Sequence, residues 1–293
     1  MRSLRKTLPI LLFIVSLSLI SFGTIAQKIK PQPTKPEWVK DYQPFRIVGN
    51  LYYVGTYDLA CYLITTSQGD ILINTGVAGS EPMIRAHVEQ LGFKFNDIKI
   101  LLATHAHFDH VGAMADVKKV TGAVMMINEK DAKALADGGN SDYLYGGKGS
   151  LFAPVKADVL LHDRSVVKLG NMQITVLNHP GHTNGASSFL FDVKDKQRTY
   201  RVLIANMPSV LDETKFPGMA TYTNVGKDYA YTFNAMKNLK FDIWLASHAS
   251  QFGLHTKHKP GDAYNPAIFI DHKGYEAALS KLDSVYLKRM NKK

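Results

Sequence analysis

The chain has 293 residues, 45% apolar and 20% charged, with a single cysteine, Cys61, and a formal charge of +10. Such proportions describe an ordinary globular protein and exclude a disordered, collagen-like or coiled-coil chain; one thiol excludes an intramolecular disulfide, a zinc ribbon and an iron–sulfur cluster. The excess charge sits at the ends, on Arg2, Arg5, Lys6, Lys28 and Lys30 and on Lys288, Arg289, Lys292 and Lys293, so the body is nearly neutral and lacks the basic stripe that a nucleic-acid partner requires.

The chain begins with Arg2, Arg5 and Lys6, an apolar run from Leu8 to Phe22, and small residues ending at Thr24-Ile25-Ala26. This is the pattern of an export signal cleaved after Ala26. The run is interrupted by Pro9, Ser16 and Ser18 and falls short of the roughly 20 residues a membrane span needs. The expectation is a mature chain from Gln27 to Lys293, one domain, working in a periplasm with no membrane anchor. A lone buried Cys61 suits an oxidising compartment, having no neighbour to mispair with.

After a Pro- and Lys-rich entry segment, short apolar strands are expected at Leu51 to Val54, Ala60 to Thr65 and Asp70 to Asn74, with Gln68-Gly69 as a turn. Glu81 to Leu91 has helical spacing, with Ser80 as N-cap and Gly92 as the stop. Ile98 to Ala103 is apolar apart from Lys99, as in a strand buried on both faces. Helix, strand and helix follow at Ala113 to Val120, Ala123 to Ile127 and Lys130 to Ala136. Gly138 to Gly149 reads as a loop, a plain surface excursion in preference to a cover over a site. Strands return at Val166 to Leu169, Met172 to Leu177, Ala186 to Asp192 and Arg201 to Ile204. Then come a helix at Tyr229 to Leu239, a strand at Asp242 to Ala246, and a C-terminal helix with Tyr275, Ala278, Leu279, Leu282 and Tyr286 on one face. The order predicts an α/β fold of two stacked sheets with helices outside.

Of the 11 histidines, three lie in Thr104-His105-Ala106-His107-Phe108-Asp109-His110, directly after the buried strand. In an extended segment His105, His107 and Asp109 leave on one side, and His110 approaches from another once the chain turns. Imidazoles and a carboxylate so placed suit a pair of zinc ions. His182, in His179-Pro180-Gly181-His182-Thr183-Asn184-Gly185, and His248, in Ser247-His248-Ala249-Ser250, occupy comparable strand-end positions. His179 reads as structural and His162 as a strand or loop edge; His87, His255, His258 and His272 read as solvated.

His-x-His-x-Asp-His after a buried strand, then Gly-His-Thr-x-Gly-x-x-Ser, then a late histidine after a strand, resembles the metallo-β-lactamase superfamily across essentially the whole mature chain. Stretches such as Pro44-Phe45-Arg46-Ile47, Leu51 to Leu59, Ile71 to Gly76, Arg201 to Val210 and Asp242 to Phe252 resemble the GOB-type branch of subclass B3. The resemblance implies an αββα sandwich, two mixed sheets flanked by helices. It implies a zinc-dependent hydrolase that opens the amide of β-lactams by attack of a metal-bound hydroxide. Two zincs are expected, one held by His105, His107 and His182, the other by Asp109, His110 and His248, with Asp109 also orienting the nucleophile. Ser209 is implied as a contact for the substrate carboxylate. A small-molecule lactam as partner and a monomer are further expectations.

The GOB-type branch usually carries glutamine at the position of His105, so this chain departs from it there. At Asn206-Met207 it agrees, with methionine where other members have serine. Glyoxalase II-like thioesterases and lactonases of the same superfamily bridge their metals with an aspartate at the place of Asn206. An amide cannot supply that carboxylate. A non-catalytic zinc-binding protein is disfavoured because three protein ligands per metal leave open coordination positions.

Overall fold

The computed structural model describes residues 29–30, 32–196 and 198–292. The expected export signal, residues 1–26, lies outside them. Twelve strands form two sheets. The first contains, in spatial as in chain order, β1 (Phe45–Val48), β2 (Leu51–Tyr53), β3 (Tyr62–Thr66), β4 (Gly69–Ile73), β5 (Ile98–Leu102), β6 (Val124–Asn128) and β7 (Val159–Leu161). Its pairings are antiparallel up to β4 and parallel from β4 to β7. The second runs β12 (Ile243–Ala246), β11 (Arg198–Ala205), β10 (Ser187–Asp195), β9 (Met172–Asn178), β8 (Val166–Leu169), antiparallel except for β11 beside β12. The helices are α1 (Pro36–Val39), α2 (Glu81–Gln90), α3 (Phe108–Val111), α4 (Met114–Thr121), α5 (Ala132–Ala136), α6 (Val225–Lys237), α7 (Leu254–Lys257) and α8 (His272–Met290).

The alternation of strand side chains builds the layers. Ile71, Ile73, Ile100 and Leu102 face the second sheet and pack with Ile174, Val176, Phe189 and Ile204. The residues between them, Leu72 and Leu101, face the other way, onto Ile84 and Val88 of α2 and Val117 of α4. A strand clothed on both faces must be apolar throughout, which is why the run at Ile98 is so uniform. Tyr229, Phe233 and Met236 of α6 and Tyr275 and Leu279 of α8 complete the packing of the second sheet. The result is the expected sandwich, helix, sheet, sheet, helix.

The polarity of the strands decides where chemistry can sit. β4, β5 and β6 are parallel, as are β11 and β12, so their C-terminal ends gather at one edge. Thr104, just past β5, ties the two sheets there: its carbonyl accepts the Ser187 amide of β10 at 2.8 Å and its hydroxyl accepts from Ser247 after β12 at 3.1 Å.

Several local expectations need correction. Ser80 makes no side-chain cap to α2; its amide already bonds back to the Val77 carbonyl at 3.1 Å, so the chain is turning before the helix begins. β7 was not foreseen, because its outer residues Val159 and Leu160 are exposed and interrupt no recognisable pattern. His87 and His258 are buried, not solvated. His87 lies with Ile84 and Val88 on the inner face of α2, between the Val54 carbonyl at 3.0 Å and Asp41 at 2.8 Å. His258 stacks on Phe45 with ring centroids 3.7 Å apart, and His255 stacks on Tyr57 at the same separation. His272 is exposed as expected, and His162 stands directly after β7, at the strand edge expected for it.

Candidate metal centre

His105 follows the end of β5 in a bend, and His107, in extended backbone, occupies the N-cap position of the one-turn helix α3, which carries Asp109 and His110 back over the same edge, so Asp109 lies on a helix and not in the extended segment expected for it. His182 arrives from the turn after β9 and His248 from the end of β12. All are buried except His248, which is partly exposed. The donor atoms of His105, His107 and His182 lie within 4.8 Å of one another, as do those of His105, Asp109 and His110. His248 joins the second group: its Nε2 is 3.4 Å from Asp109 Oδ2, which is 3.3 Å from His110 Nε2. The His105 and His110 rings stand 4.3 Å apart, so the two triads share a wall.

Neighbouring acceptors choose the tautomers. Carboxylates and carbonyls can only accept, so His107 Nε2–H donates to Asp142 at 3.2 Å, His182 Nδ1–H to the Ser209 carbonyl at 2.9 Å and His248 Nδ1–H to Asp58 at 3.1 Å. In its neutral form each ring keeps one lone pair for the cluster, His248 Nε2 only once it gives up the proton that Asp109 attracts. His105 Nε2 is buried and has no hydrogen-bond partner at all. An orphaned imidazole nitrogen among other imidazoles is costly unless a cation occupies the space between them, and three neutral nitrogens beside a mixed nitrogen and carboxylate set match the preferences of zinc.

The electrostatics agree. Burial, reinforced by neighbouring imidazoles, holds His105 far below the usual histidine range and His182 down at about 3, so both are neutral bases at pH 7. Burial would raise the Asp109 carboxyl, but His110 and His248 beside it hold it well below the carboxylate range. His248 is pushed up to about 9, burial being outweighed by Asp109 and Asp58 on either side. The Asp109 and Asp58 carboxylates thus favour positive charge at the second triad, and a dication bound there would displace the His248 proton.

The braces around these side chains were not foreseen from the sequence. Asn74, at φ 63° past the end of β4, accepts the Thr104 amide at 3.0 Å and its hydroxyl at 3.2 Å. Asp58 accepts from the Ser250 amide at 3.0 Å and from Trp38 Nε1 at 3.3 Å while it holds His248. Asp131, after β6, accepts the amides of Ala106 at 2.9 Å and Gly185 at 2.7 Å. A Cβ on Gly185 would stand 2.7 Å from Asp131 Oδ1, so only glycine lets the two loops close on that carboxylate. The one advance signal was Asn74, a residue tolerant of left-handed backbone at a strand end. The loop from Gly138 to Gly149 is not a plain surface excursion: it brings Asp142 to His107 and sets the Tyr145 ring 5.3 Å from the His107 ring. His179 is structural, buried with Nδ1 2.6 Å from the Ser188 hydroxyl.

Residues 56–195 match the family model of the metallo-β-lactamase superfamily. A β-lactamase from Chitinophaga pinensis is 64% identical over 90% of this chain and 100% of its own, with a TM-score of 0.89. The chain belongs to the metallo-β-lactamase superfamily. The class B3 di-zinc enzyme LRA-12 from an Alaskan soil metagenome is 58% identical over 90% of this chain and 100% of its own, with a TM-score of 0.88. GOB-18 from Elizabethkingia meningoseptica is 54% identical over 92% of this chain and 100% of its own, with a TM-score of 0.89. More distantly, the acyl-coenzyme A thioesterase MBLAC2 of Gallus gallus is 26% identical over 66% of this chain and 71% of its own.

Proposed function

We propose that this superfamily member is a two-zinc β-lactamase that hydrolyses the amide of penicillins, cephalosporins and carbapenems. The observation that carries the reading is the complete first triad. His105, with its buried and unpartnered Nε2, stands with His107 and His182, in a chain alike over nearly its full length to B3 lactamases. His105, His107 and His182 would hold one zinc, and Asp109, His110 and His248 the other. Bound zinc supplies Lewis acidity toward the lactam carbonyl and lowers the pKa of water toward neutrality.

The chain's own groups then do the following. Asp109 stays ionised, and its carboxylate accepts a hydrogen bond from the attacking water and so orients it toward the carbonyl carbon. Asp58 holds His248, and the Ser209 carbonyl holds His182, so that neither ring turns away during turnover. The Ser209 hydroxyl lies 3.1 Å from His182 Nδ1 and is half-buried, which leaves its own proton free to meet the substrate carboxylate. The thioesterase alternative is disfavoured by Asn206, buried just past β11 at the position of the bridging aspartate.

In this reading residues 1–26 are an export signal, and the chain from Gln27 is one domain that acts as a monomer in the periplasm. The signal pattern supports export; among the described residues no helix is long and apolar enough to cross a membrane. The test is turnover of a chromogenic cephalosporin, a penicillin and a carbapenem beside an acyl-coenzyme A thioester, with and without a zinc chelator. Lactam hydrolysis abolished by the chelator and restored by zinc is expected. Thioester cleavage with no lactam turnover would overturn it.

A further inference from the structure

Gly138, Gly139, Gly147 and Gly149 all take positive φ, a backbone suited to an open excursion, yet the segment they bound is tied down on both sides. Asp142 is the inner tie. Its side chain is 5% exposed, as is that of His107. One carboxylate oxygen accepts the amides of Leu144 at 2.9 Å and Tyr145 at 2.7 Å, which fixes its plane, and the other lies 3.2 Å from His107 Nε2. On the outer side the Tyr143 carbonyl accepts from Thr221 at 3.0 Å and its hydroxyl lies 3.2 Å from that of Thr214.

A loop whose turn needs only backbone amides could leave its carboxylate in water. Burying it is costly unless a partner compensates, and the partner here is His107 of the first triad. We infer that Asp142 is a positioning residue for His107 and that, through it, the 138–149 loop is mechanically coupled to the first metal triad. The inference rests on the zinc-site reading given above. By accepting from Nε2–H, Asp142 assigns the Nδ1 lone pair to the metal, turns the ring toward His105 and His182 and strengthens it as a donor. Conversely, an ion that fixes His107 fixes the carboxylate and with it the turn at Leu144 and Tyr145, so occupancy of the first site orders the loop.

Asp142→Asn isolates the coupling, because its amide oxygen can still accept from Leu144 and Tyr145 while an NH2 group faces His107. Asp142→Ala removes both roles. Zinc release to a chromogenic chelator is measured for the full chain, both variants and His105→Gln, which marks the first site. Hydrogen exchange of the 138–149 peptide is followed with and without zinc. We expect Asp142→Asn to weaken the same ion that His105→Gln weakens, by about 10- to 100-fold, and to leave the other within about twofold of the unmodified chain. We also expect zinc to slow exchange of the loop in the unmodified chain and not in Asp142→Asn. Unchanged affinity at both sites in Asp142→Asn, or equal weakening of both, would overturn the inference. An unmodified chain that takes up no zinc would instead sink the zinc-site reading, and this inference with it.

Discussion

The Asp131 carboxylate stands 2.8 Å from the Thr183 hydroxyl, with the same oxygen that receives the Ala106 amide. Ala106 separates two ligands of the first sheet's edge, His105 and His107, while Thr183 follows His182 from the second. One buried carboxylate thus sets the spacing between the halves of the first metal triad. Asp131→Ala would strand two amides and a hydroxyl, each at a cost of about 1–3 kcal/mol. The denaturation midpoint of the metal-free chain should fall by an amount equivalent to at least about 3 kcal/mol, and zinc binding at the first site should weaken with it. Asp131→Asn, which retains acceptor oxygen, should lose less than half as much. A midpoint unchanged in the alanine variant would show that the two loops are spaced by something else.

Asp109 is ionised, buried and shared between His110 and His248. Asp109→Asn keeps its shape and removes its charge, so circular dichroism should not change while lactam kcat/KM falls by far more than tenfold, the equivalent of about 1.4 kcal/mol. Activity retained above a tenth would deny it a place in the reaction.

Periodicity foretold the sandwich because both layers of it are written in alternation: Ile71, Leu72 and Ile73 serve opposite faces of one strand, and the uniform run from Ile98 follows from burial on both. The six side chains that the fold brings together at this edge could be picked out in the sequence because His105, His107, Asp109 and His110 crowd one strand end and His182 and His248 repeat its context. What escaped was everything that holds them. Asp58, Asn74, Asp131 and Asp142 share no motif with the segments they brace and lie 25 to 190 residues from them; they meet only through folding, as Asp58 does across a separation of 190 residues to His248. A lone acid in a loop carries no local mark of burial, and a glycine-rich stretch such as 138–149 looks the same whether it faces water or a metal triad. His87, on a helix face, and His258, in extended backbone just past α7, escaped for a related reason: a histidine is recognisably buried only when its partner, here Val54 or Tyr42, is known.

The stability of the fold should depend on pH through His179. Its ring is buried, which lowers it from the ordinary histidine value to about 4, and the Ser188 hydroxyl beside Nδ1 can donate to the neutral ring while itself accepting the Asn206 amide at 2.9 Å. A depressed histidine binds its proton more readily in the unfolded chain. Its contribution is therefore complete above pH 6.5 and is lost as pH falls from there toward 4, by roughly 3 kcal/mol in all. Urea unfolding of the metal-free chain at pH 7.5 and pH 4.5 should show a larger acid loss in the unmodified protein than in His179→Gln, whose amide does not titrate. Equal losses would place the acid sensitivity elsewhere.

The two triads should differ in what they tolerate. His105→Gln replaces an imidazole by a weaker amide donor at the first triad, where His107 and His182 remain with their orientations fixed by Asp142 and the Ser209 carbonyl. The second triad keeps all of its ligands, and glutamine is the residue usual at this position in the GOB-type branch. The variant should retain measurable lactam hydrolysis and hold one zinc more loosely, because a single bound zinc can still activate water. His248→Ala is a different loss. It removes a donor from the second triad and leaves Asp58 facing its vacated position with the Trp38 and Ser250 contacts intact, and it deprives Asp109 of one of the two imidazoles, 3.4 Å away, that hold its carboxyl down. Its kcat/KM should fall much further and should not recover at excess zinc. Zinc content and kcat/KM for both variants at limiting and excess zinc decide the matter: a His105→Gln protein inactive at every zinc concentration beside an active His248→Ala protein would mean that the first triad, not the second, holds the ion on which turnover depends.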